Sequence, residues 1–131
     1  MTAMRNVVAL LALICVSGCA TTPARWPAAE RPRARAHATF EYASTSGARR
    51  PVDIAYFVVG RGPALYVLIH GMDTNADSWA RVVDGMAANG RVVAMDLPGC
   101  GESGVPEDFV YDLPGLADVA AQVVRRAPEL V

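Results

Sequence analysis

The chain contains no lysine: all twelve basic side chains among its 131 residues are arginines. Residues 1–36 hold five of them against one acid, whereas residues 37–131 hold seven arginines and twelve acids. The acidic part has no basic stripe or basic helix of the kind that binds a phosphate backbone. We therefore expect no nucleic-acid partner.

Long apolar runs are also scarce. The run at 7–16, VVALLALICV, follows the single charge of Arg5 and spans ten residues, too few for a permanent membrane span. Small residues come next, an order typical of a secretory signal. The sequence VSGC at 16–19 resembles a bacterial lipobox, which implies cleavage before Cys19 and lipidation of its thiol. An ordinary signal peptide with an incidental cysteine is the alternative interpretation.

Cysteine is also scarce, with three in the chain. Cys15 leaves with the predicted signal and Cys19 is predicted to be modified, so Cys100 has no partner for a disulfide. Lipidation implies a cell-envelope protein anchored to a membrane by its acyl chains. Because Ala20 and not aspartate follows Cys19, resemblance to known lipoproteins implies the outer membrane if the envelope is Gram-negative.

Composition divides the chain into three parts. Residues 1–18 form the predicted lipoprotein signal peptide, and residues 19–37 comprise the lipidated cysteine and a tether rich in proline, alanine and arginine. His37 is interpreted as a solvated residue of that tether. Residues 38–131 form the predicted folded domain.

Hydrophobic periodicity predicts an α/β domain. Residues 38–43 and 52–59 alternate in polarity and are joined by a Ser-Thr-Ser-Gly turn, which predicts an antiparallel hairpin. Residues 64–69, ALYVLI, and 91–95, RVVAM, are mainly apolar, as expected for strands buried on both faces of a sheet. The order is hairpin, strand, helix, strand, helix, and the crossovers are long enough to make the last two strands parallel.

Two helices are predicted between and after these strands. The first begins at a capping box, Thr74 to Asp77, and ends at Asn89-Gly90. Its predicted apolar stripe comprises Trp79, Val82, Val83, Met86 and Ala87. The second begins at Asp112 and ends before Pro128. Its predicted stripe comprises Leu113, Leu116, Ala117, Ala120, Val123 and Val124. Residues 129–131 are interpreted as the entry to a further strand.

Two motifs together resemble a known family. LIHGMDTNADSW at 68–79, followed by RVVAMDLPGCGESG at 91–104, resembles the N-terminal third of the α/β-hydrolase fold. The resemblance implies that the backbone N–H of Met72 belongs to an oxyanion hole, in a loop shaped by His70 and Gly71. It also implies structural roles for four residues after the fourth strand: Asp96, Gly99, Gly101 and Ser103.

Ser103 is not predicted to be the nucleophile. The string from Gly101 to Val105 departs from the G-x-S-x-G turn because its closing glycine comes one position early. In the family the nucleophile follows the fifth strand, and the acid and base lie further on. We therefore expect no catalytic residue in this chain. Cys100 remains open between a small buried residue and a reactive thiol.

The resulting prediction is part of a membrane-anchored serine hydrolase, of esterase or lipase type, acting on small acyl substrates. Alternatives are another enzyme of the same fold (epoxide hydrolase, dehalogenase, acyltransferase or haloperoxidase) and a non-catalytic envelope lipoprotein. Asp73 argues against the epoxide hydrolases and dehalogenases, which usually have proline at that position of the loop. No cofactor and no metal site is predicted.

Overall fold

The structure is a computed structural model that describes residues 33–130. Strands β1 (Ala36–Ala43) and β2 (Arg49–Val59) pair in antiparallel orientation. Gly47 adopts a φ of +81° in the turn between them, a conformation that glycine adopts without strain. The predicted hairpin is confirmed.

Strands β3 (Ala64–Ile69) and β4 (Gly90–Met95) complete a four-stranded sheet of order β1-β2-β4-β3. β4 is parallel to β3, which confirms the prediction from the crossover length, and it is antiparallel to β2. A hydrophobic core lies on each face of the sheet, and β4 contributes to both. Val93 and Met95 pack on one face, and Val92 and Ala94 pack on the other. This two-sided burial explains why the strand is apolar without alternation.

Helix α2 (Leu113–Arg126) covers the first face. The carboxylate of Asp112 accepts the N–H of Gly115 at 2.8 Å, which confirms the predicted N-cap. The predicted stripe is partly wrong, since Leu113 is 79% exposed and Ala117 is also exposed. The helix is rotated so that its buried residues are Val119, Ala120 and Val123, which pack on the hairpin together with Ala127.

The other face is covered by two short helical segments, where the sequence predicted one helix. A 3₁₀ helix (Ala76–Trp79) is capped by Asn75, not Thr74, through the N–H of Asp77 at 2.9 Å. Helix α1 (Val83–Ala87) follows, and Val82 is 46% exposed. Val82 and Val83 lie at the break where α1 begins, and β-branched residues lower helix propensity. Gly90 has no left-handed conformation and begins β4.

The two ends of the described chain differ from the sequence predictions. β1 begins at Ala36, so His37 is a strand residue, and its Nδ1 lies 2.6 Å from the carboxylate of Asp53. Glu129 and Leu130 form a turn after α2, held by backbone bonds to Arg126, and do not begin a strand. Val131, the predicted signal peptide and Cys19 lie outside the described residues. None of the helices between residues 33 and 130 has the length and apolarity needed to cross a bilayer.

Candidate active-site loops

Two loops meet at one edge of the sheet. β3 and β4 are parallel and in register, with Ile69 opposite Met95, so His70 and Asp96 leave neighbouring strands side by side. In open α/β sheets the carboxyl ends of parallel strands form the edge at which ligands bind. We call residues 70–76 the donor loop and residues 96–104 the support loop.

The ring of His70 is used entirely for holding the two loops. Its Nε2 accepts the N–H of Leu97 at 2.9 Å, so the proton lies on Nδ1, which donates to the carbonyl of Gly71 at 2.7 Å. Burial lowers the pKa of His70, although the Gly71 bond and the charge of Asp96 oppose this shift. The imidazole is therefore neutral at pH 7, and neither nitrogen is free to act as a general base.

Met72 of the donor loop has 92% of its surface accessible. Within residues 33–130 its backbone N–H donates no hydrogen bond. Asp73 follows in a left-handed conformation, with a φ of +57°, which is strained for a residue other than glycine. An unpaired N–H held at a sheet edge can stabilise a developing oxyanion.

The carboxylate of Asp96 is fully buried and accepts hydrogen bonds from both loops. Its Oδ1 accepts the N–H of Ala76 at 2.7 Å, and its Oδ2 accepts the N–H of Glu102 at 3.0 Å. The Nε of Arg35 lies 3.2 Å from the same Oδ2. Asp96 therefore fixes the end of the donor loop to the support loop.

The hydroxyl of Ser103 takes the place of one backbone hydrogen bond between β2 and the chain just beyond β4. The N–H of Asp96 donates directly to the carbonyl of Ala55 at 2.9 Å. The return bond is relayed, because the N–H of Ala55 donates to Ser103 Oγ at 2.8 Å and this hydroxyl donates to the Asp96 carbonyl at 2.7 Å. With its hydroxyl engaged twice and 6% of its surface exposed, Ser103 is not placed as a nucleophile.

Two glycines allow the support loop to pass close to its neighbours. Gly101 has a φ of +51°, and a Cβ there would collide with the carboxylate of Asp96. Gly99 has a φ of +80°, and a Cβ there would lie 2.7 Å from the ring of Tyr111. Both positions require glycine on conformational and steric grounds.

Cys100 lies between these glycines and is partly buried. Burial raises the pKa of its thiol, and the negative charges of Asp96 and Asp73 raise the pKa further. The thiolate is the nucleophilic form of cysteine, so this environment disfavours a reactive thiol. Among the described residues, no group of three or more histidine, cysteine or acidic side chains is arranged to hold a metal ion.

Arg35 is the residue that the sequence analysis missed, because it was assigned to the tether. Its side chain is 2% exposed, and its guanidinium lies 3.2 Å from Asp96 and 3.0 Å from Asp77. Burial alone would lower the pKa of Arg35, but hydrogen bonds to the two carboxylates and their charges outweigh burial and raise the pKa. No local pattern indicates these contacts, since the partners are 42 and 61 positions away.

This architecture defines a class of protein. Residues 66–130 match the sequence model of the alpha/beta hydrolase family, and this part of the chain belongs to that family. The described residues correspond to the N-terminal portion of the family's fold.

Three relatives illustrate the similarity. A pimeloyl-[acyl-carrier protein] methyl ester esterase of Aeromonas hydrophila is 40% identical over 65 residues, which are 50% of this chain and 25% of that protein. A probable hydrolytic enzyme of Pseudomonas aeruginosa PAO1 superposes with a TM-score of 0.59 at 27% identity, over 74% of this chain and 31% of that one. A bacterial membrane phospholipase A superposes with a TM-score of 0.56 at 27% identity, over 70% of this chain and 27% of that one. The chain thus spans about a quarter to a third of the length of these proteins.

Ser103→Ala should destabilise the protein without abolishing its chemistry. The substitution leaves the buried N–H of Ala55 and the carbonyl of Asp96 without the relaying hydroxyl, a loss of about 1–3 kcal/mol in the free energy of unfolding. Urea denaturation of the complete protein containing this chain measures the loss. Ser78→Ala, at an exposed serine, is the matched control and should match the wild type. Loss of all turnover in a folded Ser103→Ala protein would contradict the structural role.

The stability contributed by His70 should fall in mild acid. Burial lowers the pKa of His70 in the folded state, so the unfolded chain, with a histidine pKa of about 6.5, binds the proton more tightly. The contribution is complete above pH 6.5 and is lost as the pH falls through 6.5 towards the folded-state pKa. Denaturation midpoints between pH 7.5 and 5.5 should decline less in His70→Gln than in the wild type. Ser78→Ala, at an exposed serine, retains both histidines and should keep the full decline; equal slopes in all three proteins would contradict this assignment.

Proposed function

We propose that the complete protein containing this chain is an ester hydrolase of small acyl substrates. The observation that carries the proposal is the backbone N–H of Met72, which is unpaired within the described residues and belongs to a residue that is 92% exposed. It lies at the edge of the sheet where ligands bind in open α/β folds. Ester hydrolysis passes through a tetrahedral oxyanion, and a preorganised N–H donor stabilises this species more than the ground-state carbonyl. The donor loop is suited to this task because His70 and Ala76 hold it at its two ends.

The nucleophile and its base are proposed to come from outside residues 33–130. His70 is occupied at both ring nitrogens, and the ring of His37 faces the carboxylates of Asp53 and Glu102. Neither histidine of the described chain therefore contacts a serine or cysteine that it could activate. In this arrangement the donor loop supplies transition-state stabilisation and the remainder of the fold supplies the attacking group.

The relatives support an ester in preference to other acyl substrates. One is a methyl ester esterase and another is a phospholipase A, and both names describe cleavage at an ester carbonyl. Short acyl chains with a good leaving group are the proposed substrates for a first assay, because activated esters report on acyl transfer directly.

Met72→Pro should reduce kcat for p-nitrophenyl acetate and butyrate by about 100-fold or more, because proline removes the donated N–H. Met72→Ala is the matched control: it retains the N–H and changes only a side chain that is 92% exposed, so its kcat should stay within about twofold of the wild type. Steady-state kinetics on the complete protein, with thermal melts of each variant, checks both. Equal kcat in the folded proline variant and the wild type would refute the assignment of Met72.

We further propose that this hydrolase is anchored in the cell envelope by lipid on Cys19. Support comes from the sequence VSGC after a short apolar run, and these residues lie outside the described part of the chain. Several acyl chains on one cysteine provide stable membrane attachment, at about 0.8 kcal/mol for each buried methylene. The anchor would keep the catalytic domain at a membrane surface.

Cys19→Ala should release the protein from washed membranes of the expressing bacterium, whereas Cys15→Ala, within the apolar run, should leave it bound. Mass spectrometry of the N-terminal peptide of the wild type should show a diacylglyceryl-modified Cys19 as the first residue. An unmodified Cys19 or cleavage at another position would rule out the anchor.

A further inference from the structure

The donor loop is fixed at both ends by the two residues that follow β4. At its start, Nε2 of His70 accepts the N–H of Leu97 at 2.9 Å. At its end, the N–H of Ala76 donates to Oδ1 of Asp96 at 2.7 Å. The position of Met72 between these points therefore depends on the position of the Asp96 carboxylate.

The carboxylate of Asp96 has one cationic partner, Arg35, among the described residues. The guanidinium of Arg35 donates in three directions: Nε to Asp96 at 3.2 Å, Nη2 to Asp77 at 3.0 Å and Nη1 to the carbonyl of Arg33 at 2.6 Å. It also lies over the ring of Phe57, 5.2 Å from the ring centre. This planar, multiply bonded arrangement suits arginine and cannot be reproduced in full by lysine.

We propose that Arg35 is a positioning residue for the oxyanion-donor loop. It neutralises Asp96, which holds Ala76, and it binds Asp77, the next residue along the chain. Without the guanidinium, a fully buried carboxylate would lose its counter-charge while a second carboxylate stands close by, an unfavourable arrangement that the loop relieves by moving. The kinetic consequence of this inference rests on the proposed function, whereas the positioning itself does not.

Arg33 provides a matched control. It belongs to the same segment, its guanidinium pairs with Asp84 at 2.5 Å, and it lies 5.7 Å from the centre of the Phe57 ring. Its side chain makes no contact with Asp96 or Asp77, since only its main chain approaches Asp77. Arg33→Met therefore removes an arginine and its aromatic contact from the same segment and leaves Asp96 and Asp77 paired with Arg35.

The first measurement is hydrogen exchange on the complete protein, followed at residues 70–77. Arg35→Met should speed exchange of the Ala76 amide at least tenfold, Arg35→Lys should speed it by less, and Arg33→Met should leave it within twofold of the wild type. Unchanged exchange in Arg35→Met, or an equal increase in Arg33→Met, would overturn the proposal. This readout requires no substrate, so it stands even if the complete protein cleaves no ester.

The second measurement separates positioning from general stability. Arg35→Met should lower kcat for p-nitrophenyl butyrate at least tenfold and keep KM within about twofold of the wild type. It should also weaken binding of a trifluoromethyl ketone inhibitor by the same factor as kcat/KM, because an oxyanion forms only in the transition state and in the inhibitor adduct. Arg33→Met should change neither. Wild-type kinetics in a folded Arg35→Met protein would overturn the role. Absent wild-type turnover together with faster Ala76 exchange would refute the proposed function and leave the positioning role intact.

If Arg35→Met does not fold, Asp77→Asn takes its place. This variant keeps the Arg35–Asp96 pair and the hydrogen bond from the backbone N–H of residue 77 to the side chain of Asn75. It removes the negative charge that pairs with Arg35 at position 77. At least threefold faster exchange of the Ala76 amide supports the proposal, and exchange equal to that of the wild type overturns it.

Discussion

The carboxylate of Asp96 is completely buried. Burial of a charged group lowers the stability of the fold unless the group is paired and fully hydrogen-bonded. Its carboxylate receives the N–H of Ala76, the N–H of Glu102 and the guanidinium of Arg35. These donors come from the segment after β3, the segment after β4 and the segment before β1. One side chain therefore gives three otherwise separate stretches of backbone a common fixed point.

The structural roles in the support loop were implied by the resemblance of residues 91–104 to the α/β-hydrolase fold, and the structure shows a local cause for each. Gly99 and Gly101 have positive φ angles and no room for a Cβ. Ser103 bonds the carbonyl of Asp96, only seven residues earlier, so a short motif contains the whole arrangement. Arg35 could not be predicted, since a buried arginine in a proline- and arginine-rich stretch has the composition of a solvated tether. Only the three-dimensional structure shows that it meets Asp96.

The strands were predicted more accurately than the helices for a similar reason. The continuous apolar runs of β3 and β4 are compatible with one environment, between two covered faces. The second helix presents several overlapping apolar stripes, and contact with the hairpin selects the one that contains Val119 and leaves Leu113 in solvent. The segment that follows Asn75 divides into two short helical pieces because tertiary contacts at Ala76 and Val83 determine its path.

The strand order also affects how the chain can fold. β2 and β3 are consecutive and joined by a short turn, yet β4 lies between them, so the neighbour of both strands emerges from the ribosome after them. A β2–β3 hairpin would compete with this order, because local strand pairs form faster than distant ones. Gly60 packs against the backbone of Ala87 and Gly90 in the native fold, and Pro63 has no N–H with which to extend a hairpin ladder. The turn thus helps to keep open the place that β4 later occupies.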